Sequence, residues 1–170
     1  SSADLSGLDL TGADLRGSNL AGVNLNGTKL AGALIGTVSS GSITGTPTSL
    51  PDEWALVGGY LVGPTARLNT ANLTGLDLTG MNLTDAVLTG ANVTGTKLAG
   101  ATLTGVHSGS ITGTPASLPT GWMLVNGNLI GAGANAGFAN LTGATLSGMD
   151  LTGIALFSSN LTNLDFTNTN

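Results

Sequence analysis

The chain has 170 residues, with 28 Gly, no Cys, 4 Lys+Arg, 9 Asp+Glu and a formal net charge of -5, which is one domain's worth of polypeptide. A hydrophobic fraction of 41% argues against disorder, and the missing Cys excludes a disulfide framework and thiol chemistry. Four basic residues in an acidic chain argue against binding nucleic acid through its phosphates, and no apolar run reaches the roughly 18 residues of a membrane-spanning helix.

From the first residues the chain divides into fives. Residues 3–32 read ADLSG, LDLTG, ADLRG, SNLAG, VNLNG, TKLAG, with a weaker ALIGT at 33–37. The pattern returns as seven pentads over 71–105 and six over 139–168, twenty in all. A longer period lies over the first. Val38 to Thr70 aligns without gaps on Val106 to Phe138, at an offset of 68 that also pairs Pro47 with Pro115 and Trp54 with Trp122. The chain is one solenoid domain, 1–170, built of 68-residue units: 3–70, 71–138 and a partial 139–170.

A period of five fits neither the 3.6 of a helix nor the 2 of a strand. Leu at every fifth position would visit all faces of a helix, and Gly at most fifth positions would weaken it. A short extended segment followed by a corner fits better. Alternate side chains of an extended segment share a face. The central Leu and the residue two before it therefore point inward together, as in Leu10 with Leu8, Leu25 with Val23 and Leu151 with Met149. The Asp, Asn, Lys or Thr between them points to water. Thr or Ser then Gly completes the corner.

These residues resemble the pentapeptide repeat family, whose motif is A(D/N)LXX; the likeness covers about 105 of the 170 residues through twenty tandem copies. The resemblance implies an all-β fold, a right-handed quadrilateral parallel β-helix with four pentads per coil. Each inward Leu would stack on the Leu twenty residues later, Leu5 on Leu25 and Leu78 on Leu98, held by contacts between neighbouring coils.

Two irregular segments of 28–33 residues interrupt the pentads. If Ala66–Thr70 and Ala134–Phe138 count as pentads, each unit holds eight pentads and 28 other residues. An outward hairpin is one form for those 28, with Gly58-Gly59 or Asn126-Gly127 at its turn. A widened coil with an 8-residue bulge at the Pro-containing corner is the other. Burial favours the coil, because an isolated hairpin is marginal and Ile43, Trp54, Leu56, Leu61 and Val62 need cover. Three coils per unit would set Trp54 and Trp122 about 14 Å apart, and two coils about 10 Å.

No catalytic, cofactor-binding or metal site emerges. His107 is the sole histidine and its twin is Ser39, so the repeat does not require imidazole, and no zinc site is expected. Ser and Thr are abundant without a positioned base. Asp4, Asp9 and Asp14 fall on three different sides, with Asn24, Lys29 and Leu34 twenty residues on. That bears on an activity the resemblance implies, in which some family members imitate duplex DNA and bind DNA gyrase. Mimicry needs rows of acids, and here most outward sites are Asn, Thr or Ser. The Asn-x-Thr triplets at Asn72, Asn82, Asn92, Asn140 and Asn160 are written automatically by the repeat. Thr74 with Thr94 and Thr84 with Thr104 share columns, as suits exposed strand sites. Trp54, Tyr60 and Trp122 lie in the irregular segments, either as core filling or as a repeating contact surface.

Stacked coils leave unpaired backbone groups at their rims, and no capping helix is visible at either terminus. Either more coils of a longer array follow, or copies stack end to end. The chain opens Ser1-Ser2 without Met, which is compatible with a removed leader. The expected function is a non-catalytic scaffold or self-assembling module whose partner is itself, with no nucleic acid and no membrane span. A gyrase-protecting, protein-binding role is the alternative. Scarce Lys and a Thr/Asn/Gly-rich surface point outside the cell.

Overall fold

Each pentad ends in a four-residue turn. At Leu10-Thr11-Gly12-Ala13 the Ala13 N–H donates to the Leu10 carbonyl at 3.0 Å, and Gly12 sits at φ 69°. A turn with its third residue at positive φ favours Gly, which has no Cβ to clash. Where Gly is replaced in this slot, Thr70, Asp85, Phe138 and Asn163 hold the same left-handed backbone. The pentad's Asp or Asn serves the same corner. Asp77 Oδ1 accepts the Thr79 N–H at 3.1 Å, and Asn92 Oδ1 accepts both the Thr94 N–H and its hydroxyl. The short polar side chain thus satisfies a turn donor that would otherwise be open.

The computed structural model describes residues 3–170 and shows how these corners stack. Single-residue parallel bridges join positions twenty apart, including Asp4 with Asn24, Asp77 with Lys97 and Asn82 with Thr102. Around each bridge the hydrogen bonds repeat. Leu73 N–H donates to the Asn92 carbonyl and Asn92 N–H donates to the Ala71 carbonyl, both at 2.9 Å. The chain is a β-solenoid. Among the described residues no helix forms. One bridge column, Asn19–Ser39–Arg67–Val87–His107–Asn135–Ala155, runs unbroken through the molecule.

Inside, leucines pile up as expected. Leu78 and Leu98 are both buried, as are Leu83 and Leu103. Leu25 is fully buried, whereas Leu5 in the first coil is half-exposed. Leu8 is 45% exposed, contrary to the inward position assigned to it. It lies on the first coil, with no described coil beneath it to cover that side.

The irregular segments combine the two forms that sequence left open. Pentad register continues past Val38, since Ser39, Thr44 and Ser49 bridge Asn19, Asn24 and Lys29. A hairpin follows, and the next bridge on Ser39 is Arg67, 28 residues on. That column then advances by twenty to Val87 and again to His107. Each 68-residue unit is therefore three coils, one of them widened. The hairpin pairs β1 (Ala55–Val57) with β2 (Tyr60–Val62), and its twin pairs β3 (Met123–Val125) with β4 (Asn128–Ile130), both antiparallel. Positive φ at Gly58 and Gly59, and at Asn126 and Gly127, fits the two-residue turn that matches strand twist.

The hairpins are buried plates, not outward projections. Leu61, Val62, Leu129 and Ile130 are fully buried. Alternate residues of each hairpin face different cores. Leu56 and Leu61 pack with Leu20, Leu25 and Ile35, whereas Val57, Tyr60 and Val62 pack with Leu68, Leu73 and Leu78. The second hairpin repeats this, with Leu124 and Leu129 in the middle core and Val125 and Ile130 in the last. The interior is thus divided into three cores by two transverse plates. Above the first plate, among the described residues, no bridge links Thr44 with Asn72 or Ser49 with Asp77. There Ile43 N–H donates to the Gly59 carbonyl, and Asn72 N–H donates to the Tyr60 hydroxyl.

Candidate functional site

The side chains singled out from sequence are placed by the hairpins. Trp54 begins the first plate, is half-buried, and touches both the first and the middle core. One face of its indole lies on Gly63, where an added Cβ would meet Cδ2 at 2.5 Å. Trp122 repeats the arrangement over Gly131. Tyr60 is also half-buried, and its hydroxyl holds Asn72. The structure brings Trp54 and Tyr60 onto one hairpin and sets Trp122 three coils away. Much of each ring is spent on packing.

His107 is exposed in the unbroken column, with Nε2 3.4 Å from the Asn135 amide nitrogen. The outward acids stay apart. Asp9 pairs with Lys29 and Asp77 with Lys97, each at 3.2 Å, in equivalent places of successive units. Hydrogen bonds from the Arg16 guanidinium hold the Asp14 carboxyl at about 2, and hydrogen bonds from Thr79, helped by Lys97, hold Asp77 at about 2. Among the described residues no group of three His, Cys, Asp or Glu side chains converges on a point that could hold a metal. No helix there is long and apolar enough to cross a membrane.

Two surface features escaped the sequence reading. Phe138 and Phe157 meet edge to face, with ring centroids 5.3 Å apart, and are 76% and 54% exposed. The only hint was Phe138 in a slot usually held by Gly. The other is an open cleft of about 350 Å³ where the first hairpin meets the next coil, lined by Glu53, Trp54, Thr79, Gly80, Met81 and Asn82. Its walls come from residues 29 apart, so only the three-dimensional stacking reveals it.

Bridges at twenty-residue spacing, left-handed corners and a leucine-filled interior define a β-solenoid repeat protein. The sequence matches the family model for pentapeptide repeats in eight copies, over residues 1–35, 66–105 and 133–170. The chain belongs to the pentapeptide repeat family. Among solved structures it is similar to the 2.0 Å crystal structure of HetL, a pentapeptide repeat protein involved in heterocyst differentiation regulation from the cyanobacterium Nostoc sp. strain PCC 7120. The two are 22% identical, with a TM-score of 0.21, and the match covers 99% of this chain and 63% of that one. This chain therefore matches less than two thirds of HetL's length. No curated protein sequence matches it.

Proposed function

We propose that the chain is a non-catalytic structural module, a right-handed four-sided rod that spaces, displays or assembles by adding coils at its rims. Burial at the two rims carries the reading. Leu5, Leu10 and Leu15 in the first described coil are half-buried, whereas Leu25 and Leu30 one coil further are fully buried. At the other rim Ile154, Leu156, Leu161 and Leu164 are likewise only partly covered. Further coils, from a longer array or from a second copy, would bury these side chains and pair the open backbone groups. An outer surface dominated by Asn, Thr and Ser supports a scaffold more than a reaction centre.

Light scattering over a concentration series, with electron microscopy of the same samples, tests the reading. Growth of rods or fibres with concentration supports it. A compact monomer at the highest concentration, with no fibres, rejects self-assembly. DNA mimicry gains no support from the columns, since Asp4, Asn24 and Thr44 stack together, as do Asp9, Lys29 and Ser49.

A further inference from the structure

The cleft beside the first hairpin combines three observations that coil packing does not require. First, Glu53 has φ 67°, a left-handed backbone that strains a residue bearing a Cβ. The repeat supplies its own comparison: the twin of Glu53 is Gly121, at φ 81°. The turn therefore accepts a relaxed residue, yet the first unit carries an acid there. Second, among the described residues Glu53 has no cationic partner. Three of the four basic side chains are paired, Arg16 with Asp14, Lys29 with Asp9 and Lys97 with Asp77. Among the described residues Glu53 receives one side-chain hydrogen bond, from the neutral Asn82 amide to Oε1 at 3.0 Å. Third, an aromatic and an apolar side chain, Trp54 and Met81, line the same opening beside the polar Thr79 and Asn82.

An unpaired carboxylate beside an indole is the chemistry that selects a positive charge. The carboxylate supplies the counter-charge, and the ring's negative face attracts a cation within about 6 Å. The net charge of -5 favours the approach of such a group. We propose that this cleft binds an ammonium or guanidinium group, from a small amine or from a Lys or Arg side chain of a partner protein. At the twin positions Trp122 and Met149 recur, with Gly121 in place of Glu53 and Asp150 in place of Asn82, so an acid is kept there at a different position. The inference is independent of the scaffold reading, since a monomer can bind and a filament can fail to.

The test uses the full chain carrying Trp122→Phe, so that Trp54 is the sole indole emitter. It is titrated with tetramethylammonium, with arginine methyl ester and with a Gly-Arg-Gly peptide. Saturable quenching by the cations, weakened about tenfold by Glu53→Gln, is the expected result. Glu53→Gly, which installs the twin's residue, should lose the same binding without lowering Tm. A peptide that binds more tightly assigns the site to a partner's basic side chain, and equal affinity assigns it to a small amine; either upholds a cation site. Undiminished binding by Glu53→Gln, an equal response to neutral tert-butanol or to a disaccharide, or a lowered Tm for Glu53→Gly would overturn it.

Discussion

Leu61 and Val62 are consecutive residues of one short strand, both fully buried, and they belong to different hydrophobic cores. A solenoid ordinarily has one continuous interior. Here a three-residue strand crosses it, and strand alternation sends neighbouring side chains to opposite sides. The plate seals two stacks of coils against each other and also joins them.

Truncating the two sides of the plate should give different spatial signatures. Leu61→Ala leaves a cavity in the first core and is expected to cost about 2–5 kcal/mol. Amide exchange should speed up most around Leu20 to Val38. Val62→Ala should instead loosen the coils around Leu68 to Leu83. Identical exchange patterns for the two variants would show that the cores are not separate.

Two glycines separate packing from backbone strain. Gly63 lies against the Trp54 indole without a left-handed φ, so Gly63→Ala should destabilise by about 1–3 kcal/mol through overpacking and shift Trp54 emission. Gly75 has φ 69° and open space around its missing Cβ. Gly75→Ala should cost about 1–2 kcal/mol from strain alone, with Trp emission unchanged. Thermal melts followed by fluorescence read both.

Thr28 and Thr96 are buried at equivalent positions of the first two units, and their hydroxyls donate to the Leu5 and Leu73 carbonyls at 2.8 and 2.7 Å. Thr96→Val preserves shape and removes the donor, leaving the Leu73 carbonyl without that bond. A loss of about 1–3 kcal/mol in a denaturant titration is expected.

Acid should weaken the fold in a defined window. The folded-state values of Asp14 and Asp77, about 2, lie below the ordinary 3.8. Their contribution is complete above the ordinary value and is lost as pH falls towards 2. Tm should therefore drop between about pH 4 and 2. Asp77→Asn keeps a side-chain oxygen for Thr79 but cannot titrate, so it should reduce that slope. An unchanged slope would remove Asp77 from the account.

If copies stack in the twenty-residue register, Asp4 of one copy lies over Asn160 of the next, and Asp9 lies over Asp165. The second contact is repulsive and is screened by salt. Assembly should thus grow from low to high ionic strength, and Asp165→Asn should promote it at low salt. Light scattering that is indifferent to both changes would exclude this register.

The pentad corners were legible because Gly and Asp/Asn recur at fixed places with a local physical reason. The turn at Asn126-Gly127 was legible for the same cause. The continuation of pentads through Val38 and Ile43 was not. The central residues of those pentads are Ser40 and Gly45, not Leu, and the plate explains the first. Leu56 and Leu61 occupy the first core beside them, and Ser40 Oγ accepts the Leu61 N–H at 3.0 Å. The apolar spacing Ala33, Val38, Ile43 was the signal available. The cleft at Glu53 stayed hidden because its walls meet only after a widened coil sets residues 29 apart side by side, a spacing the regular repeat does not contain.

Adjacency of residues twenty apart is the claim on which all the rest stands, and the absence of native Cys makes it directly measurable. The decisive measurement is oxidative cross-linking of the paired variant Asn72→Cys with Asn92→Cys, against Asn72→Cys with Val87→Cys as the fifteen-residue control. Residues 72 and 92 bridge each other, within the Cα separation a disulfide tolerates. Rapid, complete cross-linking of the first pair and none of the second is predicted; cross-linking of the second pair with the first left reduced would contradict the stacked coil.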